Sequence, residues 1–156
     1  MENVNKIHYT EDLLTASELE FFAQHVLNTQ KDGFPSLPST IDHESIKDRV
    51  KSLIETEYSV KVSEYDYPGL DYNISTVGDK QDVHIDFTKR DERPDFSSTI
   101  YWSNDFTGGE IYFPDYGMEI KPKEGSIVFW ENPVFHGVKE ITAGDRYASS
   151  FFWIKT

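Results

Sequence analysis

The chain contains no cysteine. Disulfides, zinc–thiolate centres, iron–sulfur clusters and thiol nucleophiles are therefore excluded, and any metal has to be held by nitrogen and oxygen ligands. Positive charge is scarce too: 15 Lys and Arg stand against 28 Asp and Glu, a net charge of −13. A surface this acidic repels phosphate backbones and argues against a nucleic-acid partner. Long apolar runs are also missing. The opening "MENVNKIHYTEDLLTASELE" carries no apolar core of signal-peptide length. No stretch approaches the roughly 18 apolar residues of a membrane span. The expectation is a soluble, cytoplasmic protein with no membrane partner. Nothing in the sequence marks an oligomeric state.

What is abundant is aromatic: 11 Phe, 9 Tyr and 3 Trp make up 15% of the chain. That load suits a β-rich, well-packed globule. At 156 residues the chain suits one domain, 1–156, with a helical support region over 1–60 and a β core over 65–156. Thr15 or Ser17 caps an expected helix through "SELEFFAQHVLNT", with Leu19, Phe22, Val26 and Leu27 on one face. "KDGFPSLPST" is a loop rich in breakers. "HESIKDRVKSLIETEY" then reads as a second helix with Ile46, Val50, Leu53 and Ile54 inward.

From about Tyr65 onward the pattern becomes short β-prone runs: "LDYNISTV", "DVHIDF", "SSTIYWSN", "GEIYFP", "GMEIKP", "GSIVFW", "FHGVKEI" and "RYASSFFWI". Glycine and proline punctuate them. Many short strands at this cadence predict a mainly β, α+β fold, a β-sandwich or small barrel with the helices on the outer face of one sheet.

Within "QDVHIDF", His84 and Asp86 stand two apart, and on a strand they would project together while Val83, Ile85 and Phe87 back onto the neighbouring layer. An isolated His-x-Asp is ordinarily the wet face of a surface strand. A facial metal triad needs a second histidine. His8, His25 and His43 lie in or near the helical third and at element ends; His136 opens a strand late in the chain. Ten residues on, Arg146 begins the last strand, and parity puts Arg146, Ala148 and Ser150 on one face. An inward arginine beside two small residues leaves a pocket with a charged floor, suited to a small dianion. A lone arginine at a strand edge is otherwise paired with one of the many acids.

In order, His84-x-Asp86, "IYWSNDFTGGEIYFP", "EIKPKEGSIVFW" and "HGVKEITAGDRYASSFFW" resemble the Fe(II)- and 2-oxoglutarate-dependent dioxygenases of the prolyl 4-hydroxylase type, from about residue 70 to the end. The resemblance implies a double-stranded β-helix (jelly-roll) sandwich. It implies His84, Asp86 and His136 as iron ligands, and Arg146 as the cation for the distal carboxylate of 2-oxoglutarate, where some collagen-type members carry lysine. Tyr101 falls where the family places a tyrosine that reaches the same carboxylate. Where many relatives have a tyrosine about nine residues before the His-x-Asp, this chain has Ser75, with Tyr72 three residues earlier. The implied cofactors are Fe(II), 2-oxoglutarate as co-substrate and O2, with ascorbate as an accessory reductant.

The reaction this implies is hydroxylation of a prolyl residue in a peptide or protein, with 2-oxoglutarate decarboxylated to succinate and CO2. The alternatives are a free amino acid or other small metabolite as substrate, or a non-catalytic jelly-roll binding module; the complete set His84, Asp86, His136, Arg146 and Tyr101 weighs against the module. Gly108-Gly109 reads as a close backbone approach or a hairpin turn, and Trp102, Trp130 and Trp153 as core. "TKRDERPDF", 88–96, is a charged loop: a solvated one, or a substrate lid presenting Lys89, Arg90 and Arg93.

Overall fold

A computed structural model describes residues 6–26, 41–65, 71–87 and 89–156. The expected breaker loop 31–40 and the end of the first predicted helix lie outside the described residues.

Two helices precede most of the strands. α1 (Ala16–His25) starts at Thr15, whose hydroxyl accepts from the Glu18 amide while the Glu18 carboxylate accepts from the Thr15 amide. This reciprocal cap satisfies two of the amides a helix start leaves open. α2 (His43–Tyr58) is capped by Asp42 and ends at Ser59, which sits in the left-handed region at φ 53°. Arg49 of α2 binds both carboxylate oxygens of Glu18 and the Leu13 carbonyl, tying the two helices together.

The larger sheet is antiparallel. β1 (Ile7–Thr10), β9 (Ile127–Glu131), β5 (Phe96–Tyr101) and β12 (Arg146–Lys155) lie side by side. The far edge of β12 pairs with β3 (Asn73–Ser75) near its start and β2 (Val62–Glu64) near its end. The smaller sheet runs β4 (Gln81–His84), β10 (His136–Val138), β7 (Ile111–Phe113), β8 (Met118–Ile120), and β6 (Phe106–Gly108) pairs with β11 (Ile141–Gly144).

The period-2 alternation of strands divides β5, β9 and β12 between two layers. Phe96, Ile100, Trp102, Ile127, Phe129, Phe151 and Trp153 pack with Phe22, Ile46, Val50 and Ile54 of the helices. Phe22 stacks on Trp102 at 4.7 Å. On the opposite face Tyr101, Val128, Trp130 and Ala148 meet Ile111 and Phe113 of the smaller sheet. The helices thus cover the outer face of the larger sheet, and the space between the sheets opens into a cavity. Buried serines complete the helix-side layer: Trp102 Nε1 donates to Ser149 Oγ at 2.8 Å and Trp153 Nε1 to Ser98 Oγ at 3.2 Å.

Gly108 belongs to a close approach. Its φ is +80°, and a Cβ there would lie 2.0 Å from the Glu140 carbonyl oxygen. Among the described residues no helix is long and apolar enough to cross a membrane.

Candidate metal centre and acid pocket

β4 is where the local sequence departs from simple strand parity. His84 pairs with His136, but Val138 pairs with Gln81, so three steps on β4 oppose two on β10. The extra residue is a β-bulge, which re-aims side chains. Gln81 and His84 consequently both line the cavity. The strand ends at His84, and Asp86 reaches the same cavity from the following turn. The expectation that Val83, Ile85 and Phe87 back onto a neighbouring layer fails. Val83 is 45% exposed and Phe87 39%, and Ile85 is half-buried. The helices cover the other sheet, and Phe87 leaves the strand path at φ 57°.

His136, buried on β10, faces His84 with ring centroids 4.5 Å apart. His84 Nε2 lies 3.6 Å and His136 Nε2 3.3 Å from the same oxygen, Asp86 Oδ1. One ligand atom from each of the three residues falls within 4.8 Å of the others. Each ring fixes its tautomer in the same way. His84 Nδ1 is 2.7 Å from the Asp82 carbonyl and His136 Nδ1 2.9 Å from the Val134 carbonyl, and a carbonyl only accepts. Nδ1 therefore carries the proton, and in a neutral ring Nε2 presents a bare lone pair. Two lone pairs then face a carboxylate oxygen, an arrangement that needs a cation between them or proton uptake by the rings. Two imidazole nitrogens and one carboxylate oxygen on one side are the donor set of a facial iron(II) site, so these residues fit such an ion. Burial alone would raise the Asp86 carboxyl, but the hydrogen bond and charge from His136, the Ser97 hydroxyl and the His84 charge outweigh it and hold the group below its ordinary range.

Arg146, 7% exposed, forms the charged floor of the cavity. It pairs across the sheet with Ser75, whose hydroxyl accepts from Nη1 at 3.3 Å. Its Nε finds no partner among the described residues, and neither does the buried Tyr101 hydroxyl. The Tyr101 ring lies 5.3 Å from the Arg146 guanidinium carbon. Burial pushes the Tyr101 phenol up, with Arg146 opposing part of that shift. Orphaned donors around a buried guanidinium are what an absent oxyanion would satisfy. The cavity holds about 270 Å³, near the lower end of the range for small-molecule sites. That is room for a small acid and the tip of one substrate side chain.

The structure therefore brings His84, Asp86, His136 and Arg146 into one cavity, with Tyr101 just behind its wall. Ser75 touches Arg146, while Tyr72 lines the cavity and packs edge-on against Phe22. Trp102 and Trp153 are core; Trp130 is core and also cavity wall, its ring 4.6 Å from that of His136.

In the 88–96 segment, Thr88 and the Arg90 side chain lie outside the described residues. Lys89 and Arg93 do not line the cavity; Arg93 donates to the Phe87 carbonyl, and Phe96 already belongs to β5. Sequence reading did not single out Ser97, Asn73 and Gln81, which line the cavity, or Asn132, which bonds Ser97. Strand parity puts Thr99 on the face of Tyr101, as the structure does, and would have put Ser97 there too, but nothing in residue type separates Ser97 from Ser98, which faces the helices.

Residues 70–155 match the family model of the 2OG-Fe(II) oxygenase superfamily. The PKHD-type hydroxylase PiuC of Pseudomonas aeruginosa is 38% identical over 96 residues, covering 54% of this chain and 42% of that protein. The chain thus spans less than half the length of the curated relatives it matches. Among solved structures, the viral collagen prolyl hydroxylase of Paramecium Bursaria Chlorella virus-1, as its 2OG complex, has a TM-score of 0.71 at 14% identity, covering 97% of this chain and 96% of that one. A prolyl hydroxylase in complex with a hypoxia inducible factor oxygen degradation domain peptide fragment, from Trichoplax adhaerens, has a TM-score of 0.67 at 16% identity, covering 97% and 84%. At these identities the likeness is one of fold.

Proposed function

The chain belongs to the 2OG-Fe(II) oxygenase superfamily, and on that footing we propose that it hydroxylates a prolyl residue of a peptide or protein, with His84, Asp86 and His136 as iron ligands and Arg146 and Tyr101 as the 2-oxoglutarate site. The observation that carries the reading is the convergence of two imidazole Nε2 atoms on one carboxylate oxygen, in a cavity whose floor is a buried, incompletely partnered arginine. Iron bound there with 2-oxoglutarate and O2 supplies the oxidising power to place one oxygen atom in a substrate C–H bond and the other in succinate, with release of CO2.

The rest is the work of this chain's own side chains. The Asp82 and Val134 carbonyls hold both imidazoles in the ligating tautomer. Arg146, with Ser75 steadying Nη1, offers its guanidinium to a carboxylate at the cavity floor, and the Tyr101 hydroxyl behind the wall is a neutral donor near it. Val138, Ile111 and Trp130 line the cavity with apolar surface and limit water.

Phe152 lines the cavity and meets Phe87 at 5.2 Å, and Tyr65 meets Phe87 at 5.8 Å. Such an aromatic cluster suits the C–H face of a pyrrolidine ring. The names of the relatives, a collagen prolyl hydroxylase and a peptide-bound prolyl hydroxylase among them, point the same way.

The test is mass spectrometry after aerobic incubation with Fe(II), 2-oxoglutarate and ascorbate, using a proline-containing peptide library in one arm and free amino acids and lysate metabolites in the other. A gain of one oxygen on prolyl peptides, matched by succinate, supports the reading. Oxygen gained only by small molecules transfers the activity to a metabolite. No product in either arm, with metal bound, leaves a binding module.

A further inference from the structure

The geometry points to Ser97 and Asn132 as positioning residues that set how Asp86 meets a metal: a one-way chain of hydrogen bonds that occupies one carboxylate oxygen and leaves the other for the ion. This rests on the iron reading above.

Every direction in the chain is dictated by its ends. Trp130 Nε1 can only donate, and it lies 3.0 Å from Asn132 Oδ1. That fixes the Asn132 amide. The reversed amide would set its NH2 against the indole N–H, and its oxygen against the Pro94 carbonyl, which now accepts from Nδ2 at 3.1 Å. Asn132 Nδ2 then donates its second proton to Ser97 Oγ at 2.9 Å. Ser97 has one proton to give. Asn132 Oδ1 is 3.3 Å away and already engaged by the indole; Asp86 Oδ2 is 2.7 Å away and negatively charged. The proton goes to Asp86, in a short charge-assisted bond.

Oδ2 is thereby held by Ser97, while Oδ1 is the oxygen that faces both histidines. Asp86 would bind an ion through one oxygen only, keeping a coordination position free for other ligands. The chain is anchored in the fold. Ser97 is 1% exposed on β5, and the Asn132 main-chain N–H donates to the Asp95 carbonyl at 2.8 Å. Trp130 also lies against the His136 ring, so one residue touches both the histidine and the start of the chain that ends on Asp86.

The experiment is anaerobic Fe(II) titration of the full chain and of Ser97→Ala, Ser97→Thr, Ser97→Val and Asn132→Ala, with thermal melting as the fold control and the Co(II) ligand-field spectrum as a readout of geometry. Thr and Val have the same shape and differ by the hydroxyl, so the pair isolates the donor. Ser97→Ala and Ser97→Val should weaken Fe(II) binding on the order of 10–100-fold and alter the Co(II) spectrum, while Ser97→Thr stays within about threefold of the unaltered chain. Asn132→Ala should weaken binding by roughly 3–10-fold, and should add little in the Ser97→Ala background because both act through one bond.

Equal Fe(II) affinity in the Thr and Val variants, or unaltered affinity in Asn132→Ala, overturns the inference while leaving the metal site standing. Should Ser97→Val not fold, Asn132→Ala alone decides. Failure of the unaltered chain to bind Fe(II) at all overturns the metal reading and this inference with it.

Discussion

Replacing Arg146 by alanine should separate a ligand-binding arginine from a structural one, because the two roles predict opposite balances of affinity and stability. Arg146 is buried, makes one 3.3 Å bond to Ser75, and has an Nε without a partner among the described residues. A carboxylate arriving there gains two charge-assisted hydrogen bonds of about 1.5–3 kcal/mol each. Their loss should weaken 2-oxoglutarate binding on the order of 10²–10⁴-fold, at 1.4 kcal/mol per tenfold. In the ligand-free chain the same substitution removes a buried donor that costs about 1–3 kcal/mol to leave unsatisfied. It also forfeits a Tyr101 contact of about 0.5–2 kcal/mol, so on these two contributions stability should fall by no more than about 1 kcal/mol and rise by no more than about 2.5 kcal/mol. The assay is paired: half-saturation of succinate formation by 2-oxoglutarate, and urea unfolding without ligands. Arg146→Lys keeps a point charge and should fall between the two. A large drop in stability with an unchanged 2-oxoglutarate requirement would refute the assignment.

His84→Ala and His136→Ala should each abolish stoichiometric Fe(II) binding and succinate formation while the far-ultraviolet dichroism stays native; turnover retained in either variant removes that residue from the ligand set. Ser149→Ala strands the buried Trp102 indole N–H and should cost about 1–3 kcal/mol, lowering the melting temperature by about 2–4 °C per kcal/mol. An unchanged melting temperature would mean the indole finds another acceptor. For Glu18, burial alone would raise the carboxyl, but hydrogen bonds from Arg49 and the Thr15 amide, with the Arg49 charge, hold it below its ordinary value. A depressed folded-state value contributes stability that is present above the unfolded carboxyl range and lost as pH falls through the folded value. Glu18→Gln should therefore be less stable than the unaltered chain at pH 7, and the gap should shrink by about pH 3, below the ordinary carboxyl range. A gap of the same size at both pH values would place its cause outside the ion pair.

Much of the architecture was legible because burial writes a period into the sequence. The second helix over 43–58 and the alternation of Tyr147, Phe151 and Trp153 against Arg146, Ala148 and Ser150 follow from spacing alone. "FHGVKEI" reads as one strand, yet β10 and β11 belong to different pairings, since the break between them depends on the partners β7 and β6. β6 and β2, of three residues each, are too short to show a period. His84, Asp86 and His136 could be put forward as ligands only through the order of motifs that resembles a known family, since an isolated His-x-Asp is ordinarily a wet strand face. Their support could not. The bulge on β4 exists only in its register with β10, and Ser97 differs from Ser98 only in the face it occupies. Asn132 matters through Trp130, Pro94 and Ser97 at once, a convergence that no linear pattern carries.

The central claim is that one cavity holds iron through His84, Asp86 and His136 and 2-oxoglutarate against Arg146. Its most direct test is the visible spectrum of the chain under anaerobic conditions, with one equivalent of Fe(II) and then 2-oxoglutarate added. The account predicts a metal-to-ligand charge-transfer band that appears on addition of the 2-oxo acid and saturates at one equivalent in the unaltered chain, and that is lost in His136→Ala. A folded, iron-loaded chain that shows no such band would contradict it.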